Sequence, residues 1–172
     1  MIESPWRRSW RADPAAAVIA DRHYNRQKVG AAQFVPPGRC LVLLTWDRTA
    51  LWVTSWPDAA YVQHDWPGAW MNSLFRREGG EYLASDLIRW AVAHTRAEWP
   101  SAPALGMVTF VDPTKTRHKR DPGRCYLRAG FTAVGQTKGK LVALQQLPDA
   151  MPTALPIPAV QLELFAAVGG AA

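Results

Sequence analysis

Chemistry is first legible at "RREGG", residues 76–80. Gly79 and Gly80 let backbone N–H groups turn inward, and a helix opening just after them presents the positive end of its dipole. Arg76 and Arg77 add formal charge, so this junction is suited to cradle a pyrophosphate. A second cluster lies in "DRHYNRQKVG", where Asp21, His23, Tyr24 and Arg26 bring a carboxylate, an imidazole, a phenol and a guanidinium into one short stretch. A third, "TKTRHKRDPGRCYLR", sets Lys115, Arg117, Lys119, Arg120, Arg124 and Arg128, with His118 among them, against the single Asp121. Such a basic loop suits a phosphate backbone. His23, Asp112 and His118 could converge on a metal ion, although no ligand spacing requires it.

The elements that must position these groups follow from periodicity. Asp13-Pro14 opens a helix, with Asp as N-cap and Pro at the first helical position, running to about His23. "CLVLLTWD" and "ALWVTSW" are apolar runs of strand length around a tight turn, and predict a hairpin. An irregular Trp-rich stretch leads to a third strand, "WMNSLF". Leu83, Leu87, Trp90, Ala91 and His94 then recur at helical spacing, closed by Pro100. "ALGMVTFVD" is a further strand, "RCYLRAG" a short helix, and "FTAVGQT" and "LVALQQL" two last strands. The order predicts an α/β or α+β domain with a mixed central sheet flanked by helices, over residues 1–148. A Pro-rich, flexible tail follows over 149–172.

The chain has 172 residues, enough for one domain with a proper core, and a net charge of +6, which points to a polyanionic partner. No apolar run approaches the roughly 18–20 residues needed to span a bilayer, and no secretory leader is read at the N-terminus, so a cytoplasmic protein without membrane contact is expected. Cys40 and Cys125 give no disulfide framework and no metal spacing, and are expected as buried small apolar residues.

"CYLRAGFTAVG" resembles the closing part of the GNAT (GCN5-related N-acetyltransferase) fold. The pattern Tyr-x-x-x-Gly-Phe, followed by a strand with Val-Gly, falls on Tyr126, Gly130, Phe131, Val134 and Gly135. That family's phosphate loop matches here at Arg76 and Gly79, while Glu81 stands where a second small residue belongs. The resemblance implies an acyl-coenzyme A type of donor held by Arg76, Arg77, Gly79 and Gly80. It makes Tyr126 the general acid that protonates the leaving thiolate. Where many such enzymes carry a glutamate base, this chain has Asn72 and Ser73, and either could position a nucleophile or a water, though neither is a strong base at pH 7.

The His23-Tyr24 pair, joined to a basic loop and this closing motif, resembles the Mom-type phage DNA-modification proteins. That likeness implies an enzyme elaborating the exocyclic amine of adenine in double-stranded DNA. His23 and Tyr24 would be catalytic or metal-binding, Asp112 and Tyr126 would face the cleft, and iron stays open as a cofactor. A base inside a duplex must be extruded to reach such a cleft. Lys115, Arg117, His118, Lys119, Arg120 and Arg124 would hold the phosphates, and tryptophans such as Trp56, Trp66 and Trp70 could stack on bases. Finally, Gln161-Leu162-Glu163-Leu164-Phe165 resembles the pentapeptide that hooks bacterial DNA polymerases and repair proteins onto the sliding clamp. Gln161 would be the polar anchor, Leu162, Leu164 and Phe165 the apolar plug, and "MPTALPIP" a semi-rigid spacer. Two alternatives stand beside this reading: an acetyl-coenzyme A dependent N-acetyltransferase of a small molecule or protein, and a non-catalytic DNA- and clamp-binding module.

Overall fold

The computed structural model describes residues 3–116 and 121–159. Their elements are β1 (Trp6–Arg8), α1 (Pro14–Asp21), β2 (Arg39–Thr45), β3 (Ala50–Trp56), β4 (Trp70–Arg77), α2 (Ala84–Glu98), β5 (Met107–Val111), α3 (Arg124–Arg128), β6 (Thr132–Gln136) and β7 (Val142–Gln146). The strands form one seven-stranded sheet in the order β1-β2-β3-β4-β5-β7-β6, antiparallel except for β4 against β5. This is the mixed α+β architecture expected from the sequence.

Local chemistry explains the boundaries. Asp13 caps α1 by accepting the Ala15 N–H at 2.9 Å, while its other oxygen accepts the Ser9 hydroxyl at 2.7 Å. Asp13 is buried, so Asp13→Ala removes the cap and strands the Ser9 hydroxyl. The expected loss is about 2 kcal/mol, the upper end for a helix cap, read from a shifted urea midpoint at unchanged slope. The helix stops at Asp21, short of the expected His23, which leaves His23 and Tyr24 in the turn beyond it. The β2–β3 turn puts Arg48 in the left-handed region, with Thr49 bonded to Asp47 and Thr45.

Two cores lie on opposite faces of the sheet. α2 and α3 cover one, where Trp6, Trp52 and Trp70 are wholly buried among Leu87, Ile88 and Tyr126. α1 covers the other, where Ile19 packs against Leu44, Leu51, Val53 and Leu74. β1 escapes sequence reading because it is only three residues long. It exists because it pairs with the edge of β2 and because its Trp6 indole donates to the Leu87 carbonyl of α2 at 2.9 Å.

A β-bulge divides β4. Val53 pairs with Leu74 and Thr54 with Asn72, so Ser73 is the additional residue. The bulge reverses which residues face which core: Trp70 joins the α2 side, whereas Leu74 joins the α1 side. The Asn72 amide repairs the ladder, donating to the carbonyls of Val53 at 3.0 Å and Leu74 at 2.9 Å. Beyond the bulge β4 leaves β5, with which it pairs only from Trp70 to Asn72. The parting of these two parallel strands opens the sheet.

Up to residue 159 the segment after β7 is packed on the domain, where a flexible tail was expected from residue 149. Met151 is buried, the Leu155 N–H donates to the Ala93 carbonyl at 3.0 Å, and Arg96 holds the carbonyls of Met151 and Pro152 at 3.3 and 2.9 Å. Ile157 packs against the larger core. The segment is a strap along α2, and the pentapeptide Gln161–Phe165 lies outside the described residues. Among the described residues no helix is long and apolar enough to cross a membrane.

Candidate active site

The parting of β4 and β5 makes a cleft of about 640 Å³. Tyr126 stands in its wall, on the short α3. Its hydroxyl donates to Asn72 Oδ1 at 2.5 Å, and Thr109 of β5 donates to the same oxygen at 3.1 Å. Since both amide hydrogens of Asn72 are committed to the bulge, its Oδ1 points at the phenol by necessity. Burial pushes the Tyr126 hydroxyl well above its ordinary value, so the phenol is a neutral proton donor at pH 7.

The turn after α1 forms the opposite lip. Asn25 Nδ2 donates to the carbonyl of the bulge residue Ser73 at 2.9 Å, and His23 Nδ1 lies 2.5 Å from Asn25 Oδ1. The His23 and Tyr24 rings stack with centroids 4.5 Å apart. Burial lowers the His23 value; its contact with Asn25 opposes this, and the nearby Arg76 charge adds to it, leaving a neutral imidazole at pH 7. The Tyr24 hydroxyl accepts the Asp112 N–H at 3.5 Å, and Lys115 Nζ sits 5.8 Å from its ring centroid. His23, Tyr24, Ser73 and Tyr126 therefore meet around one cleft, as does Lys115 with Arg124.

Other expected site residues do different work. Asp112 does not line the cleft; its carboxylate closes a turn by accepting the Thr114 hydroxyl at 2.6 Å and the Thr114 N–H at 2.9 Å. The Thr114 hydroxyl, ahead of the opposing desolvation, keeps it below the usual carboxylate range and ionised. The Ser73 hydroxyl pairs at 3.0 Å with that of Ser55, which is not a base. Gly79 and Gly80 are absent from the lining. Gly80 has φ +87°, and a Cβ there would stand 2.8 Å from Thr49 Oγ1, so it is glycine because the loop leans on the β2–β3 turn. Arg76 and Arg77 do line the cleft. Arg77 ties its own loop through the carbonyls of Gly80 and Tyr82 at 2.9 and 2.8 Å. The buried Arg76 Nε is ion-paired with Glu78 Oε2 at 3.4 Å without hydrogen-bond alignment, and Glu78 is also bridged to Arg22. Glu81 is exposed and outside the lining. Arg117, His118, Lys119 and Arg120 lie outside the described residues.

Asn25, Thr109 and Phe110 were missed by sequence reading, and only Asn72 carried a signal, a polar residue in mid-strand. Trp56 and Trp70 are core residues, packed with each other and with Trp99. Cys125 is half-buried in the cleft wall and Cys40 half-buried beside Arg11, not the fully buried residues expected. Among the described residues no group of three or more His, Cys, Asp or Glu could hold a metal ion, and His118, one of the three expected ligands, lies outside them.

The cleft has one electrostatic character. Arg76, Arg77, Lys115, Arg124 and Arg128 line it, and no described lining residue is acidic. At one wall α2 opens after its N-cap Leu83, which offers no capping side chain, and the positive end of its dipole lies beside Ala84 and Ser85 of the lining. The arrangement can hold an anion and deliver a proton. Comparison with protein-family models, with curated proteins and with solved structures gives no match to this chain, so its reading rests on its own residues.

Proposed function

We propose that this chain is a DNA-modifying enzyme of acyltransferase type, acting on the exocyclic amine of adenine brought out of the helix into the cleft. The observation that carries it is the cleft's composition: arginines, a lysine and aromatic rings, without a carboxylate among the described lining residues. An alkylammonium substrate, such as a lysine or a small amine, would be repelled there and would find no carboxylate to take its proton. An exocyclic nucleobase amine is already neutral at pH 7 and arrives on a polyanion. The element order and the place of Tyr126, on a short helix entering β6, support the GNAT resemblance.

The cationic wall at Arg76 and Arg77, with the first turn of α2, fits an anionic donor of the acyl-coenzyme A type. Such a donor supplies the acyl group as a thioester. The amine nitrogen bonds to the acyl carbon, the carbon–sulfur bond breaks, and the leaving sulfur takes the Tyr126 hydroxyl proton. The nitrogen releases one proton to water, and solvent restores the phenol. Asn72 and Thr109 fix the phenol's position, while His23 and Tyr24 form the acceptor lip. The pentapeptide Gln161–Phe165 would hook the enzyme onto the sliding clamp.

Nucleoside mass spectrometry of DNA from expressing cells, beside an empty-vector control, tests the proposal. The expected result is an adenosine-derived nucleoside of increased mass. Unmodified DNA from cells holding abundant soluble protein would overturn it. One observation favours the non-catalytic reading: the Tyr126 proton is already engaged by Asn72, and the Ser73 hydroxyl is paired with that of Ser55. That reading predicts salt-sensitive DNA binding without a new nucleoside.

A further inference from the structure

Alternation along β5 sends Met107 and Val111 to the α2 side of the sheet, and Phe110 to the other. Phe110 lines the cleft, and its ring continues outward into others. The His64 centroid is 5.2 Å away and that of Trp66 5.9 Å, and those two rings are 6.1 Å apart. Both belong to the irregular passage between β3 and β4, outside the two cores. At the end of the same strand stands Tyr24, 38% exposed, stacked on His23 with Lys115 near its ring.

A strip of aromatic rings thus leads from the cleft to the surface, with a cation beside it. Lys115 begins the densest run of positive charge in the sequence. Flat apolar faces beside cations fit a polyanion whose own flat faces are free, because stacking tolerates any base while the cations hold the backbone. A duplex keeps its base faces inside and offers the strip only phosphates.

We propose that Tyr24, Phe110, Trp66 and His64, with Lys115, bind unpaired nucleotides flanking the base that enters the cleft. This rests on the nucleic-acid part of the function proposed above and names the form in which the strand is held: locally single.

Fluorescence anisotropy of the full chain tests it, with a labelled DNA single strand of about 15 nucleotides and the matching duplex. The single strand is expected to bind about tenfold more tightly than the duplex at about 100 mM salt. Trp66→Leu, which keeps apolar bulk against Phe110, is expected to weaken the single strand about tenfold and leave the duplex unchanged, whereas Trp66→Phe stays within about threefold of wild type. Lys115→Gln is expected to flatten the log–log salt dependence by about one unit. Equal or tighter binding of the duplex by the wild-type chain overturns the proposal, whatever the variants do. So does a folded Trp66→Leu that binds the single strand like wild type. The two proposals fail separately: strand preference without a new nucleoside removes the chemistry alone, and a new nucleoside without strand preference removes the strip alone.

Discussion

Tyr126→Phe is expected to abolish the new nucleoside while leaving the fold intact. Removal of a positioned general acid lowers rates by about 100- to 10,000-fold, enough to take the product below detection in cellular DNA. Stability should move by only about 1 kcal/mol, because Asn72 Oδ1 keeps the Thr109 hydroxyl at 3.1 Å and the phenyl ring keeps its edge contacts with Phe75 and Phe131. A melting curve and the nucleoside yield, measured on one preparation, separate the two effects. Wild-type yield from the variant would remove Tyr126 from the chemistry. Low yield with a collapsed melting curve would reduce its role to packing.

Gly106→Ala is expected to be the most damaging single-methyl change in the described chain. Gly106 has φ +65°, and a Cβ built there falls 2.0 Å from the Gln146 carbonyl oxygen, a contact with backbone that no rotamer change relieves. Its own carbonyl accepts the Trp70 N–H at 2.9 Å, at the point where the parallel β4–β5 pairing begins. The clash and the left-handed backbone together should cost about 3 kcal/mol or more, seen as lost soluble protein or a collapsed urea midpoint. Gly68→Ala isolates the cause: Gly68 has φ +88° but open space around its Cβ, so only the backbone strain of about 1 kcal/mol applies. Equal losses at the two sites would show that the contact with Gln146 is relieved by a small backbone shift.

The framework was legible in the sequence because local patterns dictate it. The runs around the Asp47–Arg48 turn, the α2 periodicity ended by Pro100 and the strand after Gly106 all return as elements. What escaped depends on contacts distant in sequence. β1 is a strand only because β2 has a free edge, and the strap is ordered only because α2 offers it a groove. The site shows the same division. The side chains brought to the cleft, His23, Tyr24, Ser73, Arg76, Arg77, Lys115, Arg124 and Tyr126, were nominated by type. The errors came where a local bond claimed a residue first: Asp112 by its threonine turn, Gly80 by the hairpin beneath it. The bulge at Ser73 has no local signature, yet it aims Asn72 at Tyr126.

His94 lies on α2 away from the cleft, wholly buried, and it receives both ends of the described chain. Ser4 Oγ sits 2.7 Å from Nε2, and the Leu155 carbonyl sits 2.7 Å from Nδ1. A single imidazole thus acts as a noncovalent rivet closing a ring of about 150 residues. Loss of either partner leaves a ring nitrogen buried without a hydrogen bond, so fraying at one end weakens the seat of the other. The segments at Ser4 and Leu155 are thermodynamically one edge, fastened and undone together.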